Sequence, residues 1–272
     1  MIDYFAVNRA NWDRRVALHQ QTEIYDLEKF RRTRNALDPH TLRYLGDVRG
    51  KRILHLQCHF GMDSLSLVSL GAEVTGVDFS PKAIERAREL SAELGLPARF
   101  LECDVYGLPA VLEETFDLVF TTYGVLTWLP DMDRWAAVAA RYVAPGGRLF
   151  LIEMHPSLYL FDFDTKRPAF DYYTPARPYY EQETGSYAQS DTTEVFEEYF
   201  WQHGLAQILT PLLREGLQLQ RFEEFDSLPY NCFPNLRERA PGEYVFEPVP
   251  DIRLPHLFLY DLTRPTPTPL SD

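Results

Sequence analysis

Two carboxylates stand where a nucleoside could be gripped. Asp78 closes the run Gly76-Val77-Asp78, and Asp104 closes Glu102-Cys103-Asp104. A carboxylate at the end of a strand can accept hydrogen bonds from both hydroxyls of a ribose. One at the end of the next strand can accept from an exocyclic amine such as adenine N6. Their neighbours Phe79 and Val105 join the candidate binding residues. Upstream, Ile53-Leu54-His55-Leu56-Gln57-Cys58-His59-Phe60-Gly61 reads as a strand turning into a helix. His55, Cys58 and His59 lie close together there, but no fourth ligand accompanies them, so no metal is expected. His155 and His203 have the ordinary titration range of a general base, near neutrality.

These residues need a frame to hold them. Helices are expected over 8–20 and 25–34, with a third opened by Asp38-Pro39 and ending near Gly46. Strands are expected at 52–57, 73–78, 98–103, 116–122 and 148–154. Helices separate them at 63–70, from Ser80-Pro81 to Leu94, and at 131–143 before Pro145-Gly146-Gly147. Parallel neighbours need crossovers, so this alternation implies βαβ units and a mostly parallel, doubly wound α/β sheet. A late helix at 204–215 and strands at 217–226 and 254–262 bring the strands to seven. Ligands of such sheets bind at the carboxyl ends of the strands, where the candidate residues fall. Residues 1–50 form a helical N-terminal extension and 51–262 the main domain. The Tyr- and Phe-rich stretch of about 155–200 reads as an inserted lid or a small antiparallel excursion. The Pro-rich tail 263–272 is expected to be disordered.

Composition narrows the partners. The net charge of −13 speaks against a nucleic-acid substrate, since phosphate contacts demand basic surface. Three scattered cysteines suit a reduced, cytoplasmic protein rather than a disulfide scaffold. No apolar run is long enough to span a bilayer, and no membrane partner is expected.

From the first strand through the fifth, about 50–155, the set resembles the class I S-adenosylmethionine-dependent methyltransferases. The elements that carry the resemblance are Asp78, Asp104, Phe116-Asp117-Leu118-Val119-Phe120 and Pro145-Gly146-Gly147. The wider run LHLQCHFGMDSLS, with Asn8-Arg9-Ala10-Asn11-Trp12-Asp13 upstream, is similar to a little-characterised bacterial branch. The resemblance implies a Rossmann-like, seven-stranded sheet whose last strand is antiparallel. It implies S-adenosylmethionine as cofactor, with Thr121 at a strand end and Trp12 on a helix closing over the site. It places the acceptor near Tyr123, which joins His155 and His203 as a catalytic candidate, and Tyr199, Trp201, Tyr230 and Asn231 are candidates to line the pocket from the far side.

The departure lies in the first loop. The family's Gly-x-Gly-x-Gly is here Gln57, His59 and Gly61, and the usual acidic residue is His55. A dinucleotide needs those glycines so that backbone can approach a pyrophosphate. A sulfonium cofactor has no pyrophosphate, and Gln57 and His59 can share in its recognition. A nicotinamide enzyme is thereby disfavoured. The expected activity is methyl transfer to a small molecule, with a non-catalytic S-adenosylmethionine- or S-adenosylhomocysteine-binding protein as the alternative.

Overall fold

A strand that is apolar on both faces belongs at the centre of a layered domain. Arg52–Leu56 (β1) is buried at every position after Arg52. In the computed structural model, which describes residues 3–188 and 193–267, β1 lies between β2 (Glu73–Asp78) and β4 (Phe116–Thr121), parallel to both. β3 (Arg99–Glu102) extends the sheet beyond β2, and β5 (Val143–Met154) beyond β4. β11 (Leu257–Thr263) then runs antiparallel to β5, and β8 (Gln218–Phe225) pairs antiparallel with β11. The order is β3-β2-β1-β4-β5-β11-β8, the Rossmann-like arrangement with its last strand reversed.

Strand residues alternate between two layers. Leu54, Leu56, Val119, Leu149 and Leu151 face α6 (Met132–Arg141) and α7 (Leu205–Arg214), where Trp135 and Leu212 are buried. Ile53, Leu118, Phe120 and Ile152 face the other layer. There Leu45 of α3 (Pro39–Leu45) and Leu67 of α4 (Met62–Ser69) close the core. α5 (Pro81–Leu94) opens on the Ser80 hydroxyl, which accepts from the Ala83 N–H at 3.0 Å, and ends on left-handed Gly95.

α1 (Tyr4–His19) and α2 (Leu27–Thr33) precede this core. The stretch after β5 contains a hairpin of β6 (Tyr179–Thr184) and β7 (Val195–Phe200). α1 lies along β7. The Asn8 amide donates to the Tyr199 carbonyl at 2.7 Å and accepts from its N–H at 2.9 Å. The Arg14 guanidinium donates to the Val195 carbonyl at 3.0 Å.

Three expectations need correction. β5 begins at Val143, because Pro145-Gly146-Gly147 is a bulge inside the strand rather than a stop before it. A side chain at Gly147 would meet three carbonyl oxygens within 3.1 Å. Second, the start of the tail is held. Thr263 ends β11, and Arg264 exchanges backbone hydrogen bonds with Gly146 and Gly147. The rest of the expected disorder, residues 268–272, lies outside the described residues. Third, β9 (Arg237–Ala240) and β10 (Glu243–Val245) form a hairpin where no element was expected.

Candidate functional site

The loop leaving β1 decides whether the departures at Gln57 and His59 matter. Gln57, His59 and Gly61 all have positive φ, at 54°, 50° and 81°. The backbone therefore takes a glycine path without the first two glycines, at about 1–2 kcal/mol for each residue that is not glycine. Specific bonds hold it there. The Gln57 amide donates to the Val125 carbonyl at 3.0 Å, and the His59 N–H donates to Asp78 Oδ2 at 2.8 Å. Gln57 Oε1 and His59 Nε2 are buried and have no protein partner among the described residues.

Two stability results follow from this loop. Gln57→Gly removes the strain and one hydrogen bond of comparable size, so unfolding free energy should change by less than about 1 kcal/mol. Gly61→Ala adds strain at φ 81° and sets a methyl 2.8 Å from the Phe100 ring. Its expected loss is about 2–3 kcal/mol, read by urea denaturation.

Asp78 ends β2 and is 8% exposed. Its second oxygen accepts from the Ser80 N–H at 2.9 Å. Burial pushes its carboxyl up to about 6, against the pull of the Ser80 and His59 N–H bonds. Asp104 accepts from the N–H groups of Tyr106 and Gly107 at 2.9 and 3.0 Å through one oxygen. Both carboxylates open on a cavity of about 680 Å³ at the carboxyl ends of the strands.

That cavity brings together nearly all the expected cofactor residues. Trp12, His55, Gln57, His59 and Gly61 line it, as do Asp78, Phe79, Asp104 and Val105. His55 donates or accepts at the Ser64 hydroxyl, 2.8 Å away, and burial holds it neutral, down to about 3. The Trp12 ring meets His59 edge-on at 5.4 Å and Trp128 at 5.5 Å, so α1 roofs the loop. Thr121 is the exception. It is fully buried off the cavity, and the neighbouring Thr122 lines it instead.

The expected bases are not in the cavity. His155 sits where the chain turns away after β5, with one nitrogen 2.8 Å from the Ser157 hydroxyl and the other 2.9 Å from Glu224. His203, as a neutral ring, donates to the Leu129 carbonyl through Nε2 and accepts from the Thr174 hydroxyl through Nδ1, both at 2.7 Å. Burial pulls it down to about 4. Neither ring lines the cavity. Tyr199, Trp201 and Asn231 also lie off the cavity, whereas Tyr230 and Tyr123 line it. Tyr123 donates to Asp38, and burial beside that carboxylate raises its hydroxyl well above the usual range. It therefore holds its proton, which is directed to Asp38.

Four lining or supporting residues were not anticipated. Arg15, 1% exposed, reaches from α1 to Glu198 at 2.5 Å and Glu183 at 3.4 Å. Asp63 faces the cavity with the Thr122 hydroxyl as its donor, and burial pushes it to about 6. Asp38 caps α3 and receives Tyr123. Glu153, 3% exposed, accepts from the N–H groups of Gly124, Val125 and Leu126 and so fixes the loop after β4. Its carboxylate inside the apolar run Arg148–Met154 was the one readable signal among the four. Among the described residues, no three His, Cys, Asp or Glu side chains converge as metal ligands, and no helix is long and apolar enough to cross a membrane.

Comparison with known proteins agrees with this layout. Residues 53–147 match the family model described as a methyltransferase domain. The chain is 28% identical over 155 residues to the ubiquinone biosynthesis O-methyltransferase of Proteus mirabilis. That stretch is 51% of this chain and 63% of the relative, so less than two thirds of the relative's length is covered. An S-adenosylmethionine-dependent methyltransferase structure from Methanosarcina mazei superposes with a TM-score of 0.58 at 21% identity, covering 85% of this chain and 99% of that one. Magnesium protoporphyrin IX methyltransferase from Synechocystis PCC 6803, solved with bound S-adenosylmethionine, gives 0.55 at 15% identity, with 97% and 98% covered. At these identities the structural likeness is one of fold.

Proposed function

We propose that this chain, whose residues 53–147 match a methyltransferase-domain model, transfers a methyl group from S-adenosylmethionine to a small-molecule acceptor. The observation that carries the reading is the pairing of Asp78 with the loop 57–61. The carboxylate both holds the glycine-like turn and faces the cavity.

The residues present fit the cofactor. Asp78 would accept from the ribose hydroxyls, and Asp104, with Phe79 and Val105, would hold the base. The unpartnered Gln57 Oε1 and His59 Nε2 suit the polar methionine end. S-adenosylmethionine supplies an activated methyl group on a sulfonium, so the chemistry is an in-line displacement. The protein's part is to align the acceptor and keep water out. Trp12 and Arg15 cover the loop from above, while Glu153 fixes residues 124–126 at the far wall.

The cavity extends well past Asp78 and Asp104, to Tyr123, Tyr159, Tyr230 and Phe233. A non-catalytic sensor of the cofactor needs no such acceptor space, which favours the enzyme. The charge of −13 supports a small acceptor over a nucleic acid, and three unpaired cysteines support a cytoplasmic location. To test the reading, protein would be incubated with S-adenosylmethionine carrying a radiolabelled methyl group. Metabolite, nucleic-acid and protein fractions of a cell extract would be offered separately. Label should enter only the metabolite fraction. Label in nucleic acid or protein, or none anywhere, contradicts the proposal.

pH offers a second handle. Ribose hydroxyls donate to the ionised carboxylate, so S-adenosylhomocysteine should bind more weakly as pH falls through about 6. The decline approaches about tenfold per pH unit below that. In the free protein the sign is opposite. A carboxyl raised in the folded state contributes stability below its ordinary value of 3.8, and this is lost as pH rises through about 6. Calorimetric affinities at pH 7 and pH 5 would show the first effect, and Asp78→Asn should flatten it.

A further inference from the structure

The acceptor half of the cavity has a charge pattern that the cofactor does not explain. Its interior is aromatic, with Tyr25, Tyr123, Tyr159, Tyr187, Tyr230 and Phe233 among its walls. Its rim is acidic. Asp162 and Asp164, from the loop after β5, line the cavity with Glu181 and Glu183 of β6, and burial first, then the neighbouring carboxylates, raise both glutamates, against the pull of Arg15 on Glu183. Glu181 is pushed to about 7, first by burial and then by Glu198, Glu183 and Asp162. Deeper in, Asp63 has a hydroxyl as its donor and no cation.

Positive charge does not balance this set. Arg15 is the one Lys or Arg among the described lining residues, and Glu198 and Glu183 already engage it. Lys166 belongs to the rim loop but turns to the Phe246 ring, 6.0 Å away, and Arg167 does not line the cavity. His55 and His59 are held neutral by burial, each down to about 3. Glu183 thus has a cationic partner, whereas Asp162, Asp164 and Glu181 pair with no Lys or Arg among the described residues, and a cation brought to them gains Coulomb energy. Aromatic faces attract the same kind of ligand. A carboxylate or phosphate acceptor would meet repulsion at the rim and again beside Asp63.

We infer that the acceptor is an organic cation, an amine protonated in solution, drawn through the rim of Asp162, Asp164, Glu181 and Glu183 into the aromatic interior. This rests on the methyltransferase reading and deepens it. The ammonium gives one proton to a lining carboxylate before reaction. The nitrogen lone pair then forms the bond to the methyl carbon, and the carbon–sulfur pair stays on sulfur. The product nitrogen is positive again, and the same carboxylates stabilise it.

The test uses full-length protein saturated with S-adenosylhomocysteine, titrated with phenethylamine, 2-phenylethanol and 3-phenylpropionate. The amine should bind at least about tenfold more tightly than the carboxylate, with the alcohol between them. Added salt should shrink the gap. The double variant Glu181→Gln/Asp164→Asn should close most of it, with S-adenosylhomocysteine affinity as the check on folding. The inference is overturned if the carboxylate binds as well as the amine, if the double variant keeps the full discrimination, or if protein that binds S-adenosylhomocysteine ignores the amine. Failure to bind S-adenosylhomocysteine at all is a different result, and it removes the methyltransferase reading itself.

Discussion

Replacing Asp78 by alanine should weaken S-adenosylhomocysteine binding by about a hundredfold or more. Two hydrogen bonds from ribose hydroxyls to a carboxylate are worth about 1.5–3 kcal/mol each, and both vanish. The variant also strips the His59 N–H of its acceptor at 2.8 Å, so the left-handed turn at His59 loses a restraint. The fold should survive, because Asp78 sits uneasily at about 6 and its removal relieves a buried charge. Calorimetry on the variant, beside its unfolding curve, separates lost binding from lost structure. An unchanged affinity in a folded variant would show that the ribose lies elsewhere.

Arg15→Met should cost about 3–5 kcal/mol of stability. Arg15 and Glu198 have side chains only 2% and 10% exposed. Breaking a buried pair by removing one partner leaves an uncompensated charge, and that is worse than having no pair. The guanidinium also packs 5.4 Å from the Trp12 ring and 5.3 Å from Phe196, so α1 loses its anchor to the β6–β7 hairpin. The double variant Arg15→Met/Glu198→Gln should recover most of the loss, because the buried partner no longer carries a charge and Glu183, its side chain 46% exposed, stays solvated. Urea denaturation of the two singles and the double closes the cycle. If Arg15→Met alone unfolds no more readily than the parent, the roof is held by Asn8 and Arg14, not by this pair.

The parallel strands were legible because both their faces are covered, which leaves short apolar runs between helix signals. β1, β2 and β4 fall within a residue of their expected ends. β9 was not legible. All four of its residues are exposed, so no apolar period marks it. The clustering of the candidate cofactor residues was readable for a related reason. Residues just past parallel strands converge at one edge of the sheet, and Gln57, His59, Asp78 and Asp104 do so.

The acceptor side depends on long-range contact, which spacing does not reveal. Arg15 meets Glu198 across 183 positions of chain, and Tyr123 meets Asp38 across 85. His155 shows how position misleads. It follows a strand that ends at the site, but the chain turns there and carries the ring toward Glu224 of β8. The variant loop went the other way. Gln57 and His59 depart from the glycine pattern in type, while their φ angles keep the glycine path. Residue type alone overstated the difference.

The most direct measurement is a calorimetric titration of the unmodified protein with S-adenosylhomocysteine, with NADH as control. One-site binding in the micromolar range with no response to NADH is the expected result, and saturation at about 100 times the dissociation constant should raise folding stability by roughly 2.7 kcal/mol. Absence of S-adenosylhomocysteine binding, or binding of NADH in its place, would contradict the assignment of the cavity beside Asp78.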